Sequence, residues 1–322
     1  MTRLLVTGAA GFIGSHLIEA LLSQGDEVVG VDNFDAFYPR AVKERNLAEV
    51  GRRPGLSFWE GDILDVAAVR ERLTPDTVIV HLAAKAGVRP SLADPVGYAR
   101  ANVTGTAAVL EAARQAGVSR IVFGSSSSVY GDSTPAPFRE DAMAVAQVSP
   151  YAATKRAAEL LLSSVAPIYG LRAASLRFFT VYGPRQRPDL AIHAFTRAMV
   201  EGRTLTVFGD GSQARDYTYC DDITAGVLAA IRWTGTAPVG VETFNLGGNR
   251  SIATGDMVAE IAAALGVEPK VEWAPMQPGD VQRTAADLTK SSAVLGYTPK
   301  TPFPEGVRRF VQWYREAYGR AD

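Results

Sequence analysis

The chain has 322 residues, 47% of them hydrophobic and 21% charged, with a formal net charge of −1. These are globular values, and the length suits one large or two ordinary domains. No block of like charge points to nucleic acid or a membrane surface, the single cysteine (Cys220) rules out an internal disulfide, and no apolar run reaches the ~18 residues of a membrane span. One buried-type thiol and no signal-peptide pattern ahead of the first strand suit a reducing cytoplasm. His16, His81 and His193 have no metal-ligand spacing, so they read as packing or surface residues and no metal is expected.

A short apolar run (Leu4, Leu5, Val6) opens the chain and meets Gly8, Gly11 and Gly14 before an apolar helical pattern begins. Glycines at this spacing allow a tight turn, close approach of backbone to a pyrophosphate, and close packing of helix on strand. The helix start then offers free N–H groups and a positive dipole end to phosphates. A second strand ends at Asp32, where a carboxylate would grip adenosine ribose hydroxyls. No arginine follows at once to take a 2′-phosphate, which favours NAD over NADP.

Farther along, Ser57 to Glu60 and Val78 to Leu82 read as strands, with helical periodicity between them from Val66 to Leu73. An Ala-rich helix is predicted over Ala99 to Ala116, closed by Gly117. Strands follow at Ile121 to Gly124 and Arg172 to Arg177, flanking a long helix from Tyr151 to Tyr169 that Gly170 ends. This rhythm predicts an α/β fold with a doubly wound parallel sheet of Rossmann type and helices on both faces. After Gly183-Pro184 the character changes. A helix is predicted near Ala191 to Glu201, a strand at Leu205 to Phe208, a turn at Gly209 to Ser212, a helix at Thr224 to Arg232 and a strand at Thr243 to Leu246. Residues 251 to 318 form a smaller α/β part broken by Pro275, Pro278 and Gly279. The expected division is a dinucleotide-binding domain over 1–183, rejoined by 222–250, and a smaller substrate lobe from 184–221 and 251–322.

Chemistry concentrates at Tyr151-Ala-Ala-Thr-Lys155. Four residues apart on a helix, the phenol and the ammonium share one face, and the ammonium would lower the phenol pKa toward working pH. Such a pair is common in any helix, as a serine run is in any polar loop. Here Gly124-Ser-Ser-Ser-Ser-Val-Tyr-Gly131 closes a strand just upstream, at the sheet edge where ligands bind, and the order of parts is consistent.

The ordered set of TGAAGFIGSHL, VDNFD, GDI, HLAAKAGV, NVTGT, SSSSVYG, YAATK, RFFTVYGPRQRPD, FGDGSQARDYTYCDD, NLGG and PGDV resembles the extended short-chain dehydrogenase/reductases, specifically their nucleotide-sugar 4-epimerases. The resemblance implies NAD with its pyrophosphate on Gly8, Gly11, Phe12, Ile13 and Gly14, its adenosine ribose on Asp32 and Asn33, and its adenine near Asp62 and Ile63. Leu82, Ala83, Ala84 and Lys85 would line the cofactor. Tyr151 would be the base, Lys155 its pKa-lowering and ribose-binding partner, and Ser126 the catalytic hydroxyl. The family's 4,6-dehydratases carry Asp and Glu where this chain has Ser127 and Ser128, and its decarboxylases have a glutamate at the latter position. Without an acid and base pair, elimination has no agent, which leaves epimerisation.

Within the 4-epimerases, glucose/galactose enzymes usually have Asn where Thr180 stands, and the segment around it resembles uronate epimerases. Thr180 and Arg187 would then face a sugar carboxylate, for which guanidinium is the natural bidentate partner. A solvated loop pair or phosphate contacts are the other uses open to Arg185 and Arg187. The substrate set implied also holds Ser127, Val207, Arg215 as a phosphate-binding arginine, and Gln277 where glucose/galactose enzymes often place another arginine; Arg283 is the nearby candidate to compensate. The expected function is an NAD-dependent UDP-sugar 4-epimerase working through a 4-keto intermediate, UDP-glucuronate/UDP-galacturonate first and UDP-glucose/UDP-galactose second. A catalytically silent NAD-binding protein of the same fold is the third. A homodimer through the helices at 99–116 and 151–169 is implied by the resemblance, although their Ala-rich faces would equally suit an interior.

Overall fold

A computed structural model describes residues 1–51, 53–142, 146–275 and 282–319. Gln277, Pro278 and Gly279, with the rest of the PGDV motif, lie outside them. In chain order the strands are β1 (Arg3–Thr7), β2 (Glu27–Asp32), β3 (Leu56–Glu60), β4 (Val78–His81), β5 (Arg120–Ser126), β6 (Arg172–Phe178), β7 (Thr180–Tyr182), β8 (Leu205–Phe208), β9 (Ala214–Tyr219), β10 (Gly240–Leu246), β11 (Ser251–Ala253) and β12 (Val271–Ala274). The α-helices are α1 (Phe12–Ser23), α2 (Arg40–Val50), α3 (Val66–Arg70), α4 (Val88–Ala93), α5 (Pro95–Tyr98), α6 (Gly105–Ala116), α7 (Pro150–Tyr169), α8 (Ala191–Val200), α9 (Cys220–Trp233), α10 (Thr254–Leu265), α11 (Thr289–Leu295) and α12 (Phe303–Tyr318).

Seven strands form one parallel sheet in the order β10-β6-β5-β4-β1-β2-β3. The order reverses between β1 and β4, so the crevice outside their C-terminal ends is where an open α/β sheet binds ligands. Leu4, Leu5 and Val6 of β1 are all fully buried because both faces of the sheet are covered by helices. β10 returns to the sheet beside β6, with Gly240 opposite Arg172 and Leu246 opposite Phe178. Outside it lie a three-stranded sheet, β11-β9-β7, and a two-stranded one, β12-β8.

The sequence periodicity predicts the strands of the large sheet and β8 but not α2, α4, α5, β7 or β9, and it leaves β11, β12 and α10 to α12 undivided within 251–318. Strands β7, β9, β11 and β12 are three to six residues long, and α2 buries Lys43 and Asn46 rather than an apolar stripe. The helix predicted over 99–116 is in fact two pieces. Ala99–Thr104 is π-helical and only then does α6 begin. At this widened turn the buried Asn102 side chain donates to the Lys85 carbonyl (2.9 Å) and to Thr154 Oγ1 (3.0 Å), and accepts from the Lys85 N–H (2.8 Å). A π-bulge is a usual device for aiming a side chain at a functional site. α3 stops at Arg70, three residues short of the predicted end, and α9 starts four residues earlier than predicted.

Candidate active site

At the end of β1 the backbone of Gly8 has φ +71°, and a Cβ there would lie 2.9 Å from the Ala83 amide nitrogen. A Cβ on Gly14 would run into the Gly8 carbonyl. Only glycine lets β1, the following turn and the loop after β4 come this close. α1 opens directly on the resulting concavity with its first N–H groups unpaired by the helix.

Asp32 closes β2 at the same level. Its Oδ2 accepts from the Ala10 N–H (3.1 Å) and its Oδ1 from the Phe34 N–H (2.8 Å). Its Oδ1 also pairs with Lys43 Nζ at 3.1 Å, with both side chains buried. Asn46 on the same helix donates to the Ala10 carbonyl, tying α2 to the glycine turn. Lys43 was not legible as a site residue, because it follows Asp32 by eleven positions in a helix with no clear apolar face.

Gly8, Gly14, Ala83, Asp32 and Lys43 line one cavity of about 690 Å³ that runs along the sheet edge. Its wall includes every residue assigned above to the cofactor, from Gly8, Gly11, Phe12, Ile13, Gly14, Asp32 and Asn33 to Asp62, Ile63, Leu82, Ala83, Ala84 and Lys85. Phe37, Tyr38, Lys43 and Arg100 also line it and were missed. The glycine cradle that a Cβ would fill and the carboxylate at the end of β2 fit a dinucleotide, with phosphates at the cradle and a ribose at Asp32.

At the far end stand Ser126, Ser127, Tyr151 and Lys155. Ser126 ends β5, and Tyr151 lies in the first turn of α7, started by the Ser149 cap (accepting from the Ala152 N–H at 3.1 Å) and Pro150 at its first position. Burial pushes the Tyr151 phenol above its ordinary pKa, opposed by the hydrogen bond with Ser126 and the charge of Arg187. Lys155, one turn on, donates to the Gly124 carbonyl at 2.8 Å. It is not among the groups that lower the phenol in this arrangement; burial lowers its own pKa to about 8. Behind it, Glu159 accepts from Ser125 Oγ (2.7 Å) and takes a forked pair from Arg177 (3.0 Å twice), which holds the end of β5.

Thr180 and Arg187 complete this end of the cavity. The Arg187 guanidinium lies 4.9 Å over the Phe37 ring and pairs with Asp189 (Nη2–Oδ2 2.6 Å). Arg185 faces away, into ion pairs with Glu19 and Glu49. Two expected substrate contacts do not line the cavity. Val207 is fully buried in β8 within the core of the smaller lobe, and Arg215 on β9 donates to the Ala214 carbonyl at 3.2 Å. Arg283 donates to Ser251 Oγ at 3.2 Å. Of the histidines, His81 is buried between Thr7 and Thr106, and His193 among the aromatic rings of α12. His16 bonds the Pro184 carbonyl (2.8 Å); its ligand atoms come within 4.8 Å of those of Cys220 and Asp221, a proximity no sequence spacing reveals.

Residues 4–247 match the model of the NAD dependent epimerase/dehydratase family. The chain belongs to that family. It is 40% identical to a UDP-glucuronate 4-epimerase of Thermodesulfobacterium geofontis over 315 residues, 97% of this chain and 96% of that one. It is 39% identical over 330 residues to UDP-glucuronate 4-epimerase 4 of Arabidopsis thaliana, spanning 98% of this chain and 75% of the relative. The crystal structure of UDP-glucuronic acid 4-epimerase from Bacillus cereus, in complex with UDP-glucuronic acid and NAD, superposes with a TM-score of 0.92 at 35% identity, covering 98% of this chain and all of the other. The fold is accordingly the family's Rossmann-type sheet with a smaller C-terminal lobe.

Proposed function

We propose that this chain is an isomerase, an NAD-dependent UDP-sugar 4-epimerase whose substrate pair is UDP-glucuronate and UDP-galacturonate. The observation that carries the reading is the placement of Arg187 and Thr180 in the same cavity wall as Ser126, Tyr151 and Lys155. A guanidinium at the end of a site that also holds the acid/base group is suited to a C6 carboxylate. The full-length likeness to UDP-glucuronate 4-epimerases supports it.

Gly8, Gly11, Phe12, Ile13 and Gly14 hold the cofactor's pyrophosphate, Asp32 and Asn33 its adenosine ribose, Asp62 and Ile63 its adenine. When bound there, NAD would supply reversible hydride transfer at the sugar C4. Tyr151 takes the C4 hydroxyl proton, with Ser126 hydrogen-bonded to the phenol and orienting the same oxygen. Lys155, held at the Gly124 carbonyl, keeps a positive charge one turn from the phenolate. After the 4-keto sugar rotates to present its opposite face, Tyr151 returns the proton to the C4 oxygen. Ser127 and Ser128 supply neither the acid nor the base that eliminating water across C5 and C6 needs.

A homodimer also belongs to this reading. Leu160 and Ile168, on one of the helices expected to pair, and Val96 on α5, just before the other, are large, apolar and exposed. We place the enzyme in the cytoplasm and assign 1–183 with 222–250 to the cofactor domain, and 184–221 with 251–322 to the substrate lobe. Incubating the purified enzyme separately with UDP-glucuronate and UDP-glucose, then separating the products, tests the substrate. Turnover of the hexose alone would replace the uronate reading by a glucose/galactose one.

A further inference from the structure

The loop from Gly183 to Leu190 carries two arginines that face opposite ways. Arg187 lines the cavity, whereas Arg185 is 7% exposed and forks between two helices. Its Nη2 meets Glu19 Oε2 of α1 at 2.7 Å and its Nε meets Glu49 Oε2 of α2 at 2.9 Å. The backbone at Arg185 has φ +63°, left-handed and disfavoured for a residue with a Cβ. Such a residue persists only where its surroundings over-determine it.

Those surroundings are specific. His16 of α1 bonds the Pro184 carbonyl at 2.8 Å, and the buried Gln186 donates from its backbone to the Gly183 carbonyl (3.2 Å) and from Nε2 to the Val181 carbonyl (3.3 Å). Glu49 is itself fixed by Trp313 Nε1 (3.1 Å), and Glu19 by Arg53 (2.9 Å). Helices α1 and α2 are also the two that build the cofactor end, through the glycine turn and through the Lys43–Asp32 and Asn46–Ala10 contacts.

We infer that Arg185 is a positioning residue for substrate recognition: its double ion pair locks the loop in the left-handed turn that presents Arg187 to the sugar carboxylate. A planar five-donor fork can hold two carboxylates from two helices at once, which a lysine ammonium on a flexible stem does poorly. The inference rests on the reading of Arg187 as the carboxylate-binding group.

The test is a double-mutant cycle read in KM and kcat for UDP-glucuronate, with bound NAD and thermal unfolding measured alongside. Arg185→Gln should raise KM about tenfold with kcat within about threefold, and Arg185→Lys should recover part of the loss. In the Arg187→Ala background, Arg185→Gln should raise KM no further, because its effect travels only through Arg187. Additive effects on KM, or a fall in kcat and NAD content at unchanged KM, overturn the proposal. Should Arg185→Gln fail to fold, Glu49→Gln alone and with Arg187→Ala runs the same cycle. Failure of the underlying reading looks different. There Arg187→Ala itself leaves KM unchanged, or the parent enzyme ignores UDP-glucuronate, and the positioning role falls with it.

Discussion

Lys43 Nζ stands 3.1 Å from Asp32 Oδ1 in a buried ion pair beside the glycine turn. The carboxylate proposed to read the ribose thus has a cation beside it, supplied by a separate helix. Removing the carboxylate alone would leave that cation free to receive a 2′-phosphate. Asp32→Ser should therefore weaken NAD by about tenfold or more, as one lost charge-assisted contact implies, and shift preference toward NADP. Binding titrations of cofactor-stripped protein check this. An unchanged preference for NAD would show that the ribose is read elsewhere.

Tyr151→Phe removes the hydroxyl proposed to transfer the proton and keeps the ring edge-on to Tyr98, 6.2 Å between centroids. The variant should fold, keep its NAD, and lose turnover by about 10² to 10⁴ or more, the span of general acid–base catalysis. Near-normal rates on UDP-glucuronate would dismiss Tyr151 as the base.

Lys155 sets opposite trends for activity and stability. Its pKa in the fold is lowered from 10.5 to about 8 by burial. Between those values the unfolded chain binds the proton and the folded one does not, so stability rises with pH across that window. Relative to Lys155→Met, the parent protein should gain on the order of 3 kcal/mol from pH 8 to 10.5, at 1.36 kcal/mol per pKa unit. Activity should decline over the same window as the ammonium proposed to support the phenolate and the cofactor ribose is lost. Denaturant melts and initial rates at matched pH read the two trends, and a parallel rise of both would refute the assignment.

Arg187→Ala removes the guanidinium proposed to hold the C6 carboxylate, a side chain 14% exposed in the cavity wall. A hydrogen bond to a charged group contributes about 1.5–3 kcal/mol, so kcat/KM on UDP-glucuronate should fall roughly tenfold to a hundredfold. UDP-glucose, lacking the carboxylate, should lose much less. Equal losses on both sugars would assign Arg187 to the diphosphate instead.

The exposed Leu160 on α7 supplies the dimer test. Leu160→Glu puts a charge at the expected seam and, on a surface position, should leave the fold intact. Sedimentation of the variant should give a monomer where the parent gives a dimer. A parent that sediments as a monomer removes the dimer from the reading.

The linear sequence determined what repeats locally. Gly8, Gly11 and Gly14 are legible because a tight turn needs them at that spacing. The apolar runs of β1 and β4 are legible because a doubly covered parallel strand is apolar throughout. Ser126, Tyr151 and Lys155 are legible as candidates because Ser126 closes β5 and the other two stand one turn apart early in α7. What only tertiary structure decided are the meetings of charges far apart in the chain. Lys43 joins Asp32 across a loop and a helix, Arg177 reaches Glu159 from the next strand, and Arg185 turns to Glu19 and Glu49 while Arg187, two residues on, turns to the cavity. Periodicity reports which face of an element is apolar. Which partner a buried cation finds depends on how α1, α2 and the loop after β7 pack, and that is set by the whole core rather than by any window of sequence.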